Sequence, residues 1–263
     1  MQNPSQELTF VMDLAREAAP IFTKYFGAAH TEWKEDNTPV TPGDVEINDF
    51  IIRKINEVYP NDTVIGEEAS STTKDNGRFW AVDPIDGTQP YELGLPLSTI
   101  VIALIEQGAV KIAVIYEPIS DNMYYAEAGK GAFKNDQPIH CNTFDNIAKN
   151  YFATSSHLPT QHISVGGLHD EIEQAKGKVY NFRSFAYGAA KVAEGKLSGT
   201  VLGVGRLYDI AAPALLVEEA GGRATNLSGD PLDYRNGSGG ILISNGKVHG
   251  TLLKYLGLPN IHT

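Results

Sequence analysis

Trp80-Ala81-Val82-Asp83-Pro84-Ile85-Asp86-Gly87-Thr88 is the stretch whose reading decides the rest of the chain. The apolar run from Phe79 to Val82 predicts a short buried strand. The Asp83-Pro84 step predicts its end, because proline holds the residue before it extended and brings no N–H to a ladder. Two carboxylates three residues apart, Asp83 and Asp86, are then left at the strand's end. Gly87 permits a backbone path or a close approach that a side chain would block. Thr88 carries the hydroxyl expected at a helix N-cap, with Pro90 in the first turn. Carboxylates hold hard cations and helix N-termini hold anions, so one turn can grip both a divalent metal and a phosphate. The same residues also fit an Asx-turn, in which Asp83 and Asp86 only cap backbone groups.

Outward from this stretch, acids recur beside predicted elements. Upstream, Leu8, Val11, Leu14, Ala15, Ala18, Ile21, Phe22 and Tyr25 have the spacing of an amphipathic helix over residues 5–27, closed by Gly27. A second helix follows Pro42, with Ile47, Ile51, Ile55 and Val58 on one face. Thr41 and Asp44 have capping-box spacing at its start, which gives Asp44 a structural role of its own. Thr63 to Gly66 predicts a strand that delivers Glu67 and Glu68 to opposite sides. Downstream, Ser98–Ile105 and Val110–Tyr116 are β-branched runs about Gln107-Gly108, a hairpin signal. Met123–Ala126 and Gly131–Phe133 continue the strands, with Asn135-Asp136 as a turn. Tyr151–Thr154, Val179–Phe182, Gly199–Val204 and Ile241–Ser244 read as further strands. Ala186–Glu194, a segment from Tyr208 to Ala220 and Val248–Leu256 read as helices. Asp209 falls in the first turn of the second of these, where the helix dipole favours a negative charge. The polar stretch 142–150 suggests a boundary between an N-terminal half, 1–145, and a C-terminal half, 146–263.

Composition narrows the function. The chain has 263 residues, 42% of them hydrophobic, enough for a large core. A formal charge of −11 argues against a nucleic-acid partner, which needs a basic surface. No apolar run approaches the length of a membrane span, and MQNPSQELTF lacks the basic flank of a signal peptide, so a soluble cytoplasmic protein is expected. Cys141, the single cysteine, reads as filler rather than a nucleophile. Ala193 to Ser198 has a P-loop flavour without its leading glycine or its terminal hydroxyl residue, and Gly203-Val204-Gly205 lacks the third glycine of a dinucleotide site. His157, His162 and His169 have no zinc-site spacing.

Taken together, Gly66-Glu67-Glu68, Asp83-Pro84-Ile85-Asp86-Gly87-Thr88, and Tyr208-Asp209-Ile210-Ala211-Ala212 with Glu219-Ala220-Gly221-Gly222 resemble the inositol monophosphatase family. Residues Lys34 to Asp44 are similar to that family's more variable fourth motif. The resemblance implies an α/β (α+β) fold, a layered αβαβα sandwich of the inositol monophosphatase and fructose-1,6-bisphosphatase type, usually a homodimer, hydrolysing phosphomonoesters with two or three Mg²⁺ ions. It implies that Glu67, Asp83 and the Ile85 carbonyl hold one metal, and that Asp83, Asp86 and Asp209 hold a second. A third, weaker ion is implied near Glu67. Gly87 and Thr88 would offer N–H groups to the phosphate, and Thr88 with Asp44 would orient and deprotonate the attacking water. Electrostatics agrees: like charges about 4 Å apart at an effective dielectric near 20 repel by about 4 kcal/mol, so converging acids need cations between them.

The substrate-determining block departs from the family pattern. Inositol monophosphatases usually carry Gly-Ser-Ala near Ser184, an acid aligning with Gly188 and a glutamate near Leu202, all absent here. Tyr187-Gly188 is more similar to the histidinol-phosphate phosphatase branch, whose Gly-Asp-Cys is replaced by Ser184-Phe185-Ala186. Tyr208 stands where a tryptophan is usual. Arg183, Phe185 and Arg206 are the expected substrate contacts, with a more apolar wall and a second site for an anion. The expected activity is hydrolysis of a small polyol or sugar phosphate such as inositol monophosphate. Histidinol phosphate and 3′-phosphoadenosine 5′-phosphate are alternatives, and a non-catalytic metal- and phosphate-binding regulator is the reading from another class.

Overall fold

The computed structural model describes residues 4–28, 32–33, 39–71, 77–154, 165–234 and 238–257. Helix α1 (Gln6–Tyr25) is followed by the short pair β1 (Glu32–Trp33) and β2 (Pro39–Val40), then α2 (Pro42–Val58), β3 (Thr63–Gly66) and β4 (Ser70–Ser71). Next come β5 (Arg78–Asp86), α3 (Thr88–Glu92), β6 (Thr99–Glu106), β7 (Ala109–Glu117), β8 (Asn122–Glu127), β9 (Ala132–Lys134) and β10 (Gln137–Ile139). The remainder is β11 (Tyr151–Thr154), α4 (Val165–Gln174), β12 (Lys178–Tyr180), α5 (Phe185–Ala193), β13 (Gly199–Arg206), α6 (Leu207–Glu219), β14 (Arg223–Asn226), β15 (Ser238–Ser244) and α7 (His249–Tyr255). Residues 142–150 hold neither strand nor helix.

Among the described residues the strands form an eight-stranded sheet, β10-β9-β8-β7-β6-β5-β3-β4, and a five-stranded sheet, β12-β11-β13-β15-β14, besides the β1-β2 pair. The first is antiparallel except where β3 runs parallel to β5. Strand alternation sorts its side chains to two faces. Trp80, Val82, Ile100, Ile102, Leu104, Ile112 and Val114 pack with Leu8, Val11, Phe22, Ile47 and Ile51 of α1 and α2. Ala81, Val101, Ala103, Ala113 and Ala126 face the other way, toward α5 and α6. Alanines on that face let α6 approach the sheet closely. Helix α6 is apolar on every side, with Ile210 to Val217 all buried, because it lies between the two sheets. Helices α4 and α7 cover the far face of the second sheet through Leu168, Ile172 and Leu252. The layers are therefore αβαβα, as expected.

Both hairpin turns follow from their residues. Gln107 and Gly108 have φ of 51° and 78°, and Asn135 and Asp136 have φ of 46° and 63°, the doubly positive pattern of two-residue hairpins. Three expectations are corrected. Strand β5 does not end at Asp83-Pro84 but runs to Asp86. A register shift between Asp83 and Asp86 opposite β6 leaves Pro84 at an irregularity where no ladder N–H is needed. Val58 shares the predicted face of α2 yet is 52% exposed, because the helix end overhangs the sheet. Strand β12 stops at Tyr180 rather than Phe182.

Candidate active site

Three segments bring the expected acids to one place. Strand β5 ends on Asp83 and Asp86, the turn after β3 carries Glu67, and α6 opens on Asp209. The pairing of Gly66 with Val82 and a hydrogen bond from Glu67 N to Val82 O (3.1 Å) hold the first two segments side by side. Helix α2 supplies Asp44, 1% exposed.

Each carboxylate is oriented by donors from the chain. Asp44 Oδ2 accepts the Thr41 N–H at 2.8 Å and the Thr41 hydroxyl at 2.6 Å, the capping box read from the sequence. Its other oxygen faces the Thr88 hydroxyl at 3.5 Å, so capping and site roles belong to different oxygens of one residue. Asp83 Oδ1 accepts from Ile85 N at 3.1 Å. Asp209 Oδ2 accepts from Arg206 N, the N-cap of its own helix. Asp86 is the most engaged. Oδ1 accepts the Phe185 N–H at 3.0 Å, and Oδ2 accepts the Ala186 N–H at 2.9 Å, the Ser184 hydroxyl, and the Thr99 hydroxyl at 3.4 Å.

Burial and mutual repulsion push these acids upward. Burial raises Asp44 to about 7 against the Thr41 hydrogen bonds, with Glu67 and Glu68 adding to it. Burial raises Asp209 to about 8 against its backbone hydrogen bond, with Glu67 and Asp86 raising it further. Asp83 is held well above the usual range by burial and then by Glu67, Asp86, Asp209 and Asp44. Asp86 is raised by burial despite the donors from Ser184, Phe185 and Ala186. Burial also raises the Tyr208 phenol, and Glu67, Asp209 and Asp83 add to it, which places this side chain beside the acids. Among the described residues no three His, Cys, Asp or Glu side chains already stand as a metal cage. The acids feel one another while each is still turned toward its own hydrogen-bond donors.

The start of α3 differs in detail from the sequence reading. Gly87, not Thr88, is the N-cap of α3; it has φ of 91° and no side chain to cap with, and Thr88 is the first helical residue. The Thr88 hydroxyl instead lies between Asp44 Oδ1 and the Ile85 carbonyl (3.4 Å). A Cβ on Gly87 would stand 2.8 Å from Ser184 Cβ, so the close approach allowed for at Gly87 is to the segment before α5.

Of the expected substrate contacts, Arg183 lies at this end. Its Nε donates to Gln89 of α3 at 2.7 Å, it has φ of 59°, and burial lowers its guanidinium from the ordinary value. Phe185 was expected in the wall of a pocket; its side chain is 2% exposed and packs in the core, and only its N–H reaches the acids. Arg206 is exposed and caps α6. Cys141 lies away from these groups, its thiol pushed up to about 12 by burial, as filler should be. Residues 34–38, His157 and His162 lie outside the described residues, and His169 is part of α4. Sequence reasoning missed Ser184. A serine just before the apolar run Phe185-Ala186 was a readable N-cap signal, but its link to Asp86 was not readable.

A model of the inositol monophosphatase family matches residues 3–257. The chain is 33% identical over 220 residues, 82% of its length and 84% of the relative's, to a histidinol-phosphatase of Chlorobaculum parvum. It is 29% identical, over 94% of each chain, to a fructose-1,6-bisphosphatase/inositol-1-monophosphatase of Thermotoga maritima. A solved structure of a Thermotoga maritima IMPase superposes with a TM-score of 0.88 at 28% identity, covering 96% of this chain and 97% of that one.

Proposed function

The chain belongs to the inositol monophosphatase family, and on that premise we propose that it is a Mg²⁺-dependent phosphomonoesterase acting on a small polyol or sugar phosphate such as inositol monophosphate. The observation that carries this reading is the convergence at Asp83, a buried carboxyl raised first by burial and then by Glu67, Asp86, Asp209 and Asp44. A donor set of carboxylates and a carbonyl, with no nitrogen or sulfur, suits Mg²⁺. Glu67, Asp83 and the Ile85 carbonyl would hold one ion, and Asp83, Asp86 and Asp209 a second, with a weaker third near Glu67. Bound there, the metal supplies Lewis acidity and an acidified water.

The chain's own groups do the rest. The Gly87 and Thr88 N–H groups lie at the start of α3, where backbone donors receive phosphate oxygens. The Thr88 hydroxyl orients the attacking water, and Asp44 takes its proton by way of that hydroxyl. Burial, which raises Asp44 to about 7 in the metal-free protein, makes it a stronger base than an ordinary carboxylate. Arg183, steadied by Gln89, is positioned to meet a second polar or anionic group of the substrate. Arg206 extends that side, and Phe185 acts only through its N–H.

Histidinol phosphate is the second reading, favoured by the 33% identity to a histidinol-phosphatase. Pairing with a second copy of the chain is part of the same proposal, and sedimentation equilibrium reads it directly. Phosphate release from inositol 1-phosphate, histidinol phosphate, fructose 1,6-bisphosphate and 3′-phosphoadenosine 5′-phosphate, with and without Mg²⁺, tests the activity. Metal-dependent turnover of one compound supports the reading and picks the branch. Silence across the panel in folded protein that binds Mg²⁺ moves the weight to a substrate outside the panel or to a non-catalytic role.

A further inference from the structure

A cavity of about 600 Å³ lies on the outer side of the first sheet, between the N-terminal turns of α1 and the strands β8 to β10. Its size is that of a small-molecule site. It is separate from the acids. The turn that forms its floor offers the Gly129 and Gly131 N–H groups to Glu219, at 2.6 and 2.7 Å, at the last residue of α6. Asp209 sits ten residues earlier, about 15 Å away along the helix at 1.5 Å per residue.

One wall is aliphatic, from Leu8 and Met12. The other is aromatic: Tyr125 and Phe133 are cross-strand partners whose rings stack with centroids 5.3 Å apart and planes 15° apart. Stacked on each other, the two rings leave an outer ring face against which a further planar ring can stack. The charged groups at the rim are two carboxylates and one ammonium, Glu127, Asp136 and Lys130. Lys130 is committed to Glu127 at 2.7 Å. Glu127 also accepts the Ser5 N–H at 3.2 Å, which with the Ser5 side-chain cap answers the positive end of α1. Arg16, the next cation along α1, pairs with Asp13. Asp136 accepts only a neutral donor among these groups, the Tyr125 hydroxyl at 2.8 Å, and is paired with none of the cations named here.

We infer that this cavity is a binding site for an organic cation, a ring compound carrying a primary amine, whose ring stacks against the Tyr125–Phe133 pair and whose ammonium meets Asp136. The charge balance of the rim selects the cation over an anion of the same shape.

Tryptamine and indole-3-propionate are the probes, titrated into isotopically labelled full-length protein in saturating Mg²⁺ and followed by NMR. Tryptamine gives saturable shifts at Gly129, Tyr125 and Phe133, and indole-3-propionate binds more weakly. Asp136→Asn keeps the turn, since asparagine tolerates the positive φ, and weakens tryptamine about threefold to fivefold. Lys130→Ser, which releases Glu127, tightens it. Asp209→Asn leaves it unchanged. Equal binding of the two probes, no saturable shift at these residues, or an unaltered affinity in Asp136→Asn would each overturn the site. Loss of tryptamine binding in Asp209→Asn would overturn it as well, by placing the amine among the acids.

Discussion

Asp86, at the end of β5, and Ser184, just ahead of α5, are joined across 98 residues of chain by a hydrogen bond from the serine hydroxyl to the aspartate. The same hydroxyl caps α5 through the Tyr187 N–H. The positive end of that helix thus meets an acid expected to hold metal. Ser184→Ala is expected to cost about 1 kcal/mol in urea unfolding, as a lost cap does. It should also raise the Mg²⁺ concentration needed for half-maximal activity, which an ordinary surface cap would not do. Ser184→Thr restores both.

The raised acids give stability a direction in pH. Asp44 and Asp209 titrate near 7 and 8 when folded, against about 4 in an unfolded chain. Between these values the folded form binds more protons than the unfolded form. Their contribution is therefore full below about pH 4 and is lost as pH rises toward 8. In EDTA, this component lowers Tm from pH 5 to pH 8. Mg²⁺ competes with those protons, so the rise in Tm on adding it is small at pH 5 and largest near pH 8, as read by scanning calorimetry.

Asp209→Asn separates function from folding. The amide cannot carry the charge that a divalent ion needs, and hydrolysis should fall at least ~100-fold, since even the loss of a group behind a ligand costs up to that. The fold should survive. Removing a charge held against burial leaves unfolding at pH 8 no easier than in the parent protein. Undiminished activity would exclude Asp209 from the site.

Gly87→Ala tests the close approach at the start of α3. The new Cβ meets Ser184 Cβ at 2.8 Å and Pro90 Cγ at 3.1 Å, on a backbone with φ of 91°. Gly221→Ala is the control, with φ of 85° and nothing within 4 Å. Each carries backbone strain of about 1 kcal/mol or more. Only Gly87→Ala adds the collision, so its loss of stability in urea should be the larger and should be joined by loss of activity.

Much of this was legible because it is local. The β-branched runs of β6 and β7, the Gln107-Gly108 and Asn135-Asp136 turns, and the Thr41–Asp44 capping box are settled by residues a few positions apart. The acids were legible as an ordered set, since Glu67, Asp83, Asp86 and Asp209 each follow or open a recognisable element. What failed depends on distant partners. The passage of β5 through Pro84 needs β6 opposite to tolerate a register shift, and Thr88 lost the cap position to Gly87 because its hydroxyl faces Asp44. Phe185 reads as a pocket residue until the sheet behind it is known. Helix α4 and strand β14 carried too little pattern: two glycines interrupt the first, and the second is four residues long.

Helix α6 is apolar on all sides and enclosed by both sheets, and this has a consequence in time. A chain with one sheet complete has no place to shelter that helix, so it docks only when the second sheet closes over it. Asp209 travels with the helix. The acids are therefore complete only once both sheets have formed, and the proposed tight binding of a divalent ion is expected of the finished molecule alone. On the proposed function, a partly folded chain is then expected neither to hold Mg²⁺ tightly nor to act on a phosphate ester during synthesis.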